Sequence, residues 1–233
     1  MKSVLFITLR HCRLTAGLVT CVLVLSASAC SGPKKDADMS ATNDTNHDSL
    51  LPEDGAPLRN LNPAPRDAYD IRVVLRGAPG PFAEIDAAAQ YDVTNAGECG
   101  EPQPLSGAVP RISTTEKVAL TRVSDTEFVG RVFMDQVLDE DYYGRGVCHW
   151  KFVETRVSMR ESSDPMATWF VAAIDAEEIV RRASAATFFS SVHYPKAEID
   201  NYANFGHESL DHVDAKDRGE FFEVELSAME ANQ

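Results

Sequence analysis

Glu84-Ile85-Asp86-Ala87-Ala88-Ala89-Gln90-Tyr91-Asp92-Val93 is the stretch that decides between a helical and a strand-rich fold. Its consecutive alanines favour a helix by intrinsic propensity. The apolar side chains nevertheless recur at every second position, and the polar ones occupy most of the positions between them. Because successive side chains of a strand point to opposite faces, this period of two predicts a half-buried β-strand.

The same alternation recurs from Tyr69 onward. Ile71, Val73 and Leu75 share one parity, and a turn rich in Gly and Pro at 77–81 ends the run. Ser124-Asp125-Thr126 separates two apolar runs and predicts a hairpin. Further strands are predicted at 117–123, 127–134, 148–159, 167–174, 187–192 and 221–228. We expect Val153, Thr155, Val157 and Met159 on one face of the strand 148–159, and Phe222, Val224 and Leu226 on the inner face of the last.

The order of these strands predicts the fold class. Asp175 and Glu178 have the spacing of a capping box, which predicts one short helix at 176–183. The remaining pattern is mainly β and indicates an antiparallel β-sandwich over residues 69–233. Its likeness to immunoglobulin domains is one of architecture alone, because Trp150 follows the second cysteine of the domain instead of lying between the two.

The first 29 residues have the pattern of a secretory signal. A basic start (Lys2, Arg10 and Arg13) precedes an apolar run at 14–25 and then small residues. The run is shorter than the roughly 20 residues of a transmembrane helix. Cleavage after residue 29 would give either a plain secreted protein or, since a cysteine follows directly, a lipoprotein.

Ala27-Ser28-Ala29-Cys30 resembles the lipobox of bacterial lipoproteins, which signal peptidase II cuts just before the cysteine. Ala27 departs from the leucine that this family more often has there. The resemblance implies a lipid on Cys30, a location in the cell envelope facing the periplasm and, because Ser31 is not aspartate, the outer membrane. Residues 30–68 are rich in Ser, Asp, Asn, Pro and Gly, which predicts a disordered tether after the lipidated cysteine.

The chain is acidic, with a formal net charge of -14. The predicted signal carries three basic residues and no acid, so its removal makes the charge -17. Nucleic acid and anionic lipid surfaces repel such a protein, whereas a basic protein partner or a metal cation is compatible with it. Acidity also keeps a secreted domain soluble, without any specific partner.

Two cysteines of the domain, Cys99 and Cys148, remain after the signal and the lipobox are set aside. In an oxidising compartment two cysteines most simply form one structural disulfide. A redox or metal site is the alternative, but no CxxC motif is present, and His149, next to Cys148, would point to the opposite face of a strand.

The stretch 193–219 has little regular pattern, and long irregular segments of this kind are often functional. His207-Glu208-Ser209-Leu210-Asp211-His212 is one residue longer than the HExxH zinc motif, and on a helix its two histidines would diverge. Asp211, Asp214 and Asp217 recur every three residues, which misses the spacing of an EF-hand. We therefore expect a solvated acidic loop with no metal, although His193, His207 and His212 leave a metal-dependent enzyme as a third hypothesis.

Candidate partner-binding residues come from two places. Tyr142-Tyr143-Gly144-Arg145-Gly146 combines residue types that are enriched at binding hot spots, although a tight turn whose tyrosines lean on the sandwich is the simpler interpretation. Tyr202 and Phe205 add aromatic side chains in the long loop. The chain has no nucleophile elbow or phosphate-binding loop, the domain 69–233 has no acyl-serine motif, and we expect no enzyme activity and no cofactor.

These features together predict a non-enzymatic, lipid-anchored protein that binds another protein in the periplasm. Anchor, tether and acidic β-domain resemble, in general features, the immunity lipoproteins that bacteria hold against antibacterial hydrolases. An envelope structural or assembly lipoprotein is the alternative.

Overall fold

The structure is a computed structural model in which residues 57–231 are described, apart from the side chain of Glu230. The predicted signal peptide 1–29, the lipobox with Cys30, and residues 31–56 of the predicted tether lie outside the described residues. None of the helices in the described part has the length and apolar character that a membrane crossing needs.

The domain is a sandwich of two five-stranded sheets, as the periodicity predicts. Sheet I has the order β4-β5-β1-β10-β8 and sheet II the order β3-β2-β6-β7-β9. All neighbouring strands are antiparallel except β7 and β9. The strands are β1 (Ala68–Arg76), β2 (Glu84–Val93), β3 (Ser113–Val118), β4 (Leu120–Ser124), β5 (Glu127–Phe133), β6 (Trp150–Arg160), β7 (Trp169–Asp175), β8 (Ser184–Ser190), β9 (Ala203–Asn204) and β10 (Phe221–Glu230).

The core lies between the sheets and is one continuous cluster. The alternating residues of β1 and β10 are buried from sheet I, and Ala87, Ala89, Tyr91 and Val93 of β2 from sheet II, as predicted. Ile85 of β2 is only half-buried, and the polar Gln90 is buried. Phe170 of β7 contacts Phe189 and Phe222 of the opposite sheet with ring centres 5.5 and 5.3 Å apart. These aromatic contacts join the two sheets near one end of the sandwich.

One predicted strand face is wrong. In β6 the register against β2 shifts, so that Gln90 faces Glu154 and Tyr91 faces Phe152. This irregularity displaces Val153 from the pattern, and Phe152 is buried in its place, while Thr155, Val157 and Met159 remain inward as predicted. A bulge inserts one residue and therefore inverts the parity of everything on its far side.

The predicted strand 117–123 is in fact two strands. Val118 is buried at the end of β3 in sheet II, Ala119 is exposed, and Leu120 begins β4 in sheet I. The chain therefore changes sheets at a single residue. An apolar run continues through this change, so composition alone does not reveal it.

The predicted helix is present, and a second one accompanies it. α2 (Ala176–Val180) begins with the capping box: Asp175 accepts from the Glu178 amide, and the Glu178 side chain accepts from the Asp175 amide. α2 carries the chain from sheet II to sheet I. The short α1 (Ala96–Cys99) was not predicted, and it places Cys99 for its disulfide.

The strand directions define two ends of the sandwich. Val93 pairs with Trp150 near the disulfide, and Glu84 pairs with Arg160 ten residues further along β6. We call the first the disulfide end and the second the distal end. β1 begins and β10 finishes at the disulfide end, since Tyr69 pairs with Glu230 and Ala68 with Phe133.

Ordered contacts begin before residue 69, where the tether was predicted to give way to the domain. Leu61 pairs with Val137, and the amide of Asn62 donates to the carbonyl of Gln136 at 2.8 Å. Asp135 accepts hydrogen bonds from the amides of Arg66 and Asp67. Residues 57–67 therefore belong to the domain surface at its disulfide end, and the predicted tether is too long by this segment.

Candidate functional site

The disulfide end contains the predicted cysteine pair and the predicted tyrosine turn. Cys99 and Cys148 are bonded, with Cα atoms 5.3 Å apart, and both are buried with Val93 and Ile112. Tyr142, Tyr143 and Trp150 pack against this small cluster. The disulfide prediction is confirmed, together with the expected position of Trp150 beside it.

The side chains of Tyr142 and Tyr143 are half-buried and pack against the disulfide cluster. The Tyr142 hydroxyl donates to the carbonyl of Leu138 at 2.6 Å and accepts from the amide of Asn60 at 3.1 Å. Burial raises the pKa of both tyrosines. Beside them, Leu58 and Arg145 line a shallow depression of about 680 Å³. The chain segment that leads from the N-terminus thus crosses the predicted tyrosine surface.

The distal end is organised around Tyr194. Its hydroxyl donates to the carbonyl of Pro81 at 2.7 Å, and its ring contacts Phe82 with centres 5.5 Å apart. The amide of Thr168 also donates to the carbonyl of Pro195 at 3.1 Å. These bonds fix the first part of the 193–219 loop to the turns that precede β2 and β7.

Residues 203–207 form what we call the crossover segment. Ala203 and Asn204 pair with β7 of sheet II, and His207 exchanges two backbone hydrogen bonds with Phe188 of sheet I, at 2.8 and 2.9 Å. The buried Asn204 side chain lies 3.0 Å from His193 Nδ1 and accepts from the Gly206 amide at 2.9 Å. Phe205 is at the middle of this bridge, with 65% of its surface exposed.

Exposed apolar side chains accumulate around this segment. Val192 and Ile199 are both 67% exposed and, with Tyr202, line a depression of about 380 Å³. Tyr202 is half-buried, its ring against His193. Large apolar side chains held in place by buried hydrogen bonds, yet left in water, are typical of interaction surfaces. We call Val192, Ile199, Tyr202 and Phe205 the distal surface.

The five predicted partner-binding residues therefore fall into two groups. Tyr142, Tyr143 and Arg145 lie at the disulfide end, whereas Tyr202 and Phe205 lie at the distal end, against the start of β7. At about 3.3 Å per residue, the length of β6 separates the ends by roughly 30 Å. The structure does not bring the two groups into one site.

The three histidines of the loop also separate. His193 lies beside Asn204 and Tyr202, whereas the rings of His207 and His212 contact each other, with centres 4.8 Å apart. The divergence that a helix would impose on these two histidines does not apply, because residues 207–213 form a bridge and turns. In residues 57–231, no group of three or more His, Cys, Asp or Glu side chains is placed to hold a metal ion.

The sequence analysis missed Val192 and Ile199. Val192 was assigned to the strand 187–192, but β8 ends at Ser190 and Val192 lies in the turn after it. The feature of the sequence that could have identified these two residues is an isolated apolar side chain within an irregular, acidic stretch. The pair of His149 and Asp139 was not predicted either. Its Nδ1 and Oδ2 atoms lie 2.8 Å apart, and both side chains are exposed at the disulfide end.

Comparison of the chain with protein-family models, curated proteins and solved structures finds no match.

Proposed function

We propose that the protein is a lipid-anchored, periplasm-facing lipoprotein that acts as a non-enzymatic protein-binding module, and that it binds through the distal surface. The observation that carries this proposal is the exposure of Val192, Ile199 and Phe205 at the distal end. Phe205 lies on the crossover segment, which is fixed by backbone pairing and by the buried Asn204. Such side chains bind a partner without first having to be ordered.

The position of the tether favours the distal surface over the tyrosine turn. Residues 57–67 lie on the surface of the disulfide end, and β1 begins at the same end. A lipid on Cys30 would therefore connect to the domain through its disulfide end, which is opposite the distal surface. Tyr142 and Tyr143 are, in addition, already engaged in supporting the disulfide.

The charge of the chain supports a basic partner. Glu198 and Lys196 both line the depression, and Lys196 forms an ion pair with Asp200 at 2.6 Å, so the acidic character is that of the whole chain. With a net charge of -14 over the whole chain, long-range attraction speeds the encounter with a cationic protein and weakens with added salt.

In its sharpest form the proposal is an immunity protein that inhibits an antibacterial hydrolase. The combination of a predicted lipid anchor, an acidic domain and an exposed apolar surface supports this form. The alternative is an envelope structural or assembly lipoprotein, which would use the same surface for a resident protein. The two forms differ in the partner and not in the surface.

A capture experiment with matched variants tests the proposal. Wild-type protein, an Ile199→Ser/Phe205→Ala variant and a Leu105→Ser control are used as bait against periplasmic and secreted fractions. Leu105 is fully exposed, in the loop that follows Cys99 at the disulfide end, so it controls for the loss of exposed apolar surface as such. We expect wild type and the control to retain one stoichiometric partner and the double variant to lose it.

The identity of the partner then separates the two forms. A hydrolase that the purified domain inhibits supports the immunity protein, whereas resident envelope machinery supports the assembly role. Equal capture by all three baits, or loss only with Leu105→Ser, contradicts the distal surface. Anchoring is tested separately: labelled palmitate should enter the wild-type chain and not a Cys30→Ser variant.

A further inference from the structure

His207 and His212 form an exposed pair of imidazoles outside the distal surface. Their ring centres are 4.8 Å apart and their planes are inclined by 61°. The His207 backbone is held by its two hydrogen bonds to Phe188, and His212 lies in the turn closed by the Val213 amide and the Leu210 carbonyl. The backbone of both positions is thus determined independently of the contact between the rings.

The separation of the rings suits one metal ion. With metal–nitrogen bonds of about 2.0–2.1 Å and tetrahedral angles, the centres of two imidazoles on the same ion lie roughly 5 Å apart. The observed 4.8 Å between the ring centres is close to this separation. Both side chains face solvent, so an ion can reach them directly.

The surrounding charge favours a cation. Glu208 and Asp211 are sequence neighbours of the two histidines, and Asp214 and Asp217 follow within one further turn. Lys216 is the only lysine or arginine between positions 207 and 217. Negative potential of this kind raises the local concentration of divalent cations, although it does not itself make a site.

We propose that His207 and His212 chelate a divalent transition metal ion, with water in the remaining coordination positions. Two imidazoles without a thiolate favour Cu²⁺, Ni²⁺ or Zn²⁺, and copper binds most tightly in the general order of divalent metals. Two protein ligands make an open site of modest affinity, distinct from the closed four-ligand cage of a structural zinc. The proposal is independent of the distal surface and assigns no catalysis to the ion.

The test uses residues 31–233, produced in an oxidising compartment so that Cys99 and Cys148 are paired and no free thiol remains. CuCl₂ and ZnCl₂ are titrated by calorimetry into wild type and into His207→Gln, His212→Gln and His149→Gln variants. His149 is the matched control, because it is an exposed histidine at the opposite end of the sandwich. Thermal unfolding without metal checks that each variant is folded.

We expect one Cu²⁺ site per chain, and weaker binding by about tenfold or more in each of the two loop variants, because a single imidazole replaces a chelate. The His149→Gln variant should bind as wild type does. The copper EPR spectrum should show two nitrogen ligands, reduced to one in either loop variant. Absence of saturable binding, or binding unchanged by His207→Gln and His212→Gln, overturns the proposal.

Discussion

The hydroxyl of Tyr91, on sheet II, donates a hydrogen bond of 2.6 Å to the main-chain carbonyl of Phe133, the last residue of β5 in sheet I. The side chain is 1% exposed and its ring lies against Phe152 with centres 5.5 Å apart. Burial, followed by the nearby carboxylates of Glu116 and Asp135, raises the pKa of this phenol well above its usual range. The bond joins the two sheets near the disulfide end.

Tyr91→Phe should destabilise the domain by about 1–2 kcal/mol, because the Phe133 carbonyl loses its donor in a partly buried position. Urea unfolding monitored by circular dichroism measures the change. Tyr69→Phe is the control, since within residues 57–231 no hydrogen bond of the Tyr69 hydroxyl accompanies its packing. An equal effect of the two substitutions would show that the inter-sheet bond contributes nothing specific.

The crossover segment depends on a glycine. Gly206 has φ +61°, and a Cβ atom there would lie 2.6 Å from Thr187 Cγ2 and 2.7 Å from the Phe188 carbonyl oxygen. Gly206→Ala should therefore cost about 1–2 kcal/mol for the left-handed backbone and roughly 1–3 kcal/mol more for the clash. Because Phe188 also pairs with His207, the substitution should displace Phe205 and abolish partner capture.

Gly107→Ala separates these two contributions. Gly107 has φ +67°, but a Cβ atom built there meets nothing within 4 Å. It should show only the backbone cost of about 1–2 kcal/mol. Thermal unfolding of both variants measures the difference. If Gly206→Ala is no more destabilising than Gly107→Ala, the close approach of the crossover segment to β8 is not required for stability.

The sequence predicted the sandwich because a buried face imposes a period of two on a strand, and the alanines of β2 do not alter that period. It failed where one residue changes the local geometry: the bulge before Thr155 and the change of sheet at Ala119. Neither event leaves a compositional signal. The periodicity of a strand depends only on residues close in the sequence. Both wrong predictions concern which other strand pairs with it, and this depends on distant residues.

The candidate site was predictable only as a set of residue types. Tyr142 and Phe205 were singled out for the same reason, yet one supports the disulfide and the other is exposed at the far end. The contact between His207 and His212 could not be predicted, because it depends on the pairing of His207 with Phe188, nineteen positions earlier. Long-range pairing determines what a loop presents to solvent.

Thr155 offers a stabilising substitution. It is 1% exposed on β6, between Ala89 and Ile174, and in the described part of the chain its hydroxyl has no hydrogen-bond partner. Thr155→Val replaces an unsatisfied hydroxyl with a methyl group of similar shape and should stabilise the domain by about 1 kcal/mol.

Thr114→Val is the matched control for this prediction. Thr114 is also buried in sheet II, but its hydroxyl donates to Glu116 at 3.1 Å. Its replacement should be neutral or destabilising, as measured by denaturant unfolding. Stabilisation by both substitutions would point to a general gain in strand propensity and not to the unsatisfied hydroxyl of Thr155.

Asp92 makes the stability of the disulfide end dependent on acid pH. Burial raises the pKa of its carboxyl, but hydrogen bonds from Ser113 at 2.6 Å, from Arg111 and from Gln90 at 3.2 Å outweigh it, and the net pKa is lowered. A carboxyl whose pKa is lower in the folded state contributes stability above its unfolded pKa of about 3.9, and this stability is lost as the pH falls through the folded value.

Asp92→Asn should therefore destabilise the domain at pH 7, and the difference from wild type should shrink as the pH falls below about 4. Urea unfolding at a series of pH values between neutral and strongly acidic measures both effects. Asp86→Asn, an exposed carboxylate on the same strand, controls for the loss of one negative charge. If the difference in unfolding free energy between wild type and Asp92→Asn stays constant into strong acid, the three donors stabilise the neutral side chain as well as the carboxylate. Asp92 would then contribute shape and hydrogen bonding but no acid dependence.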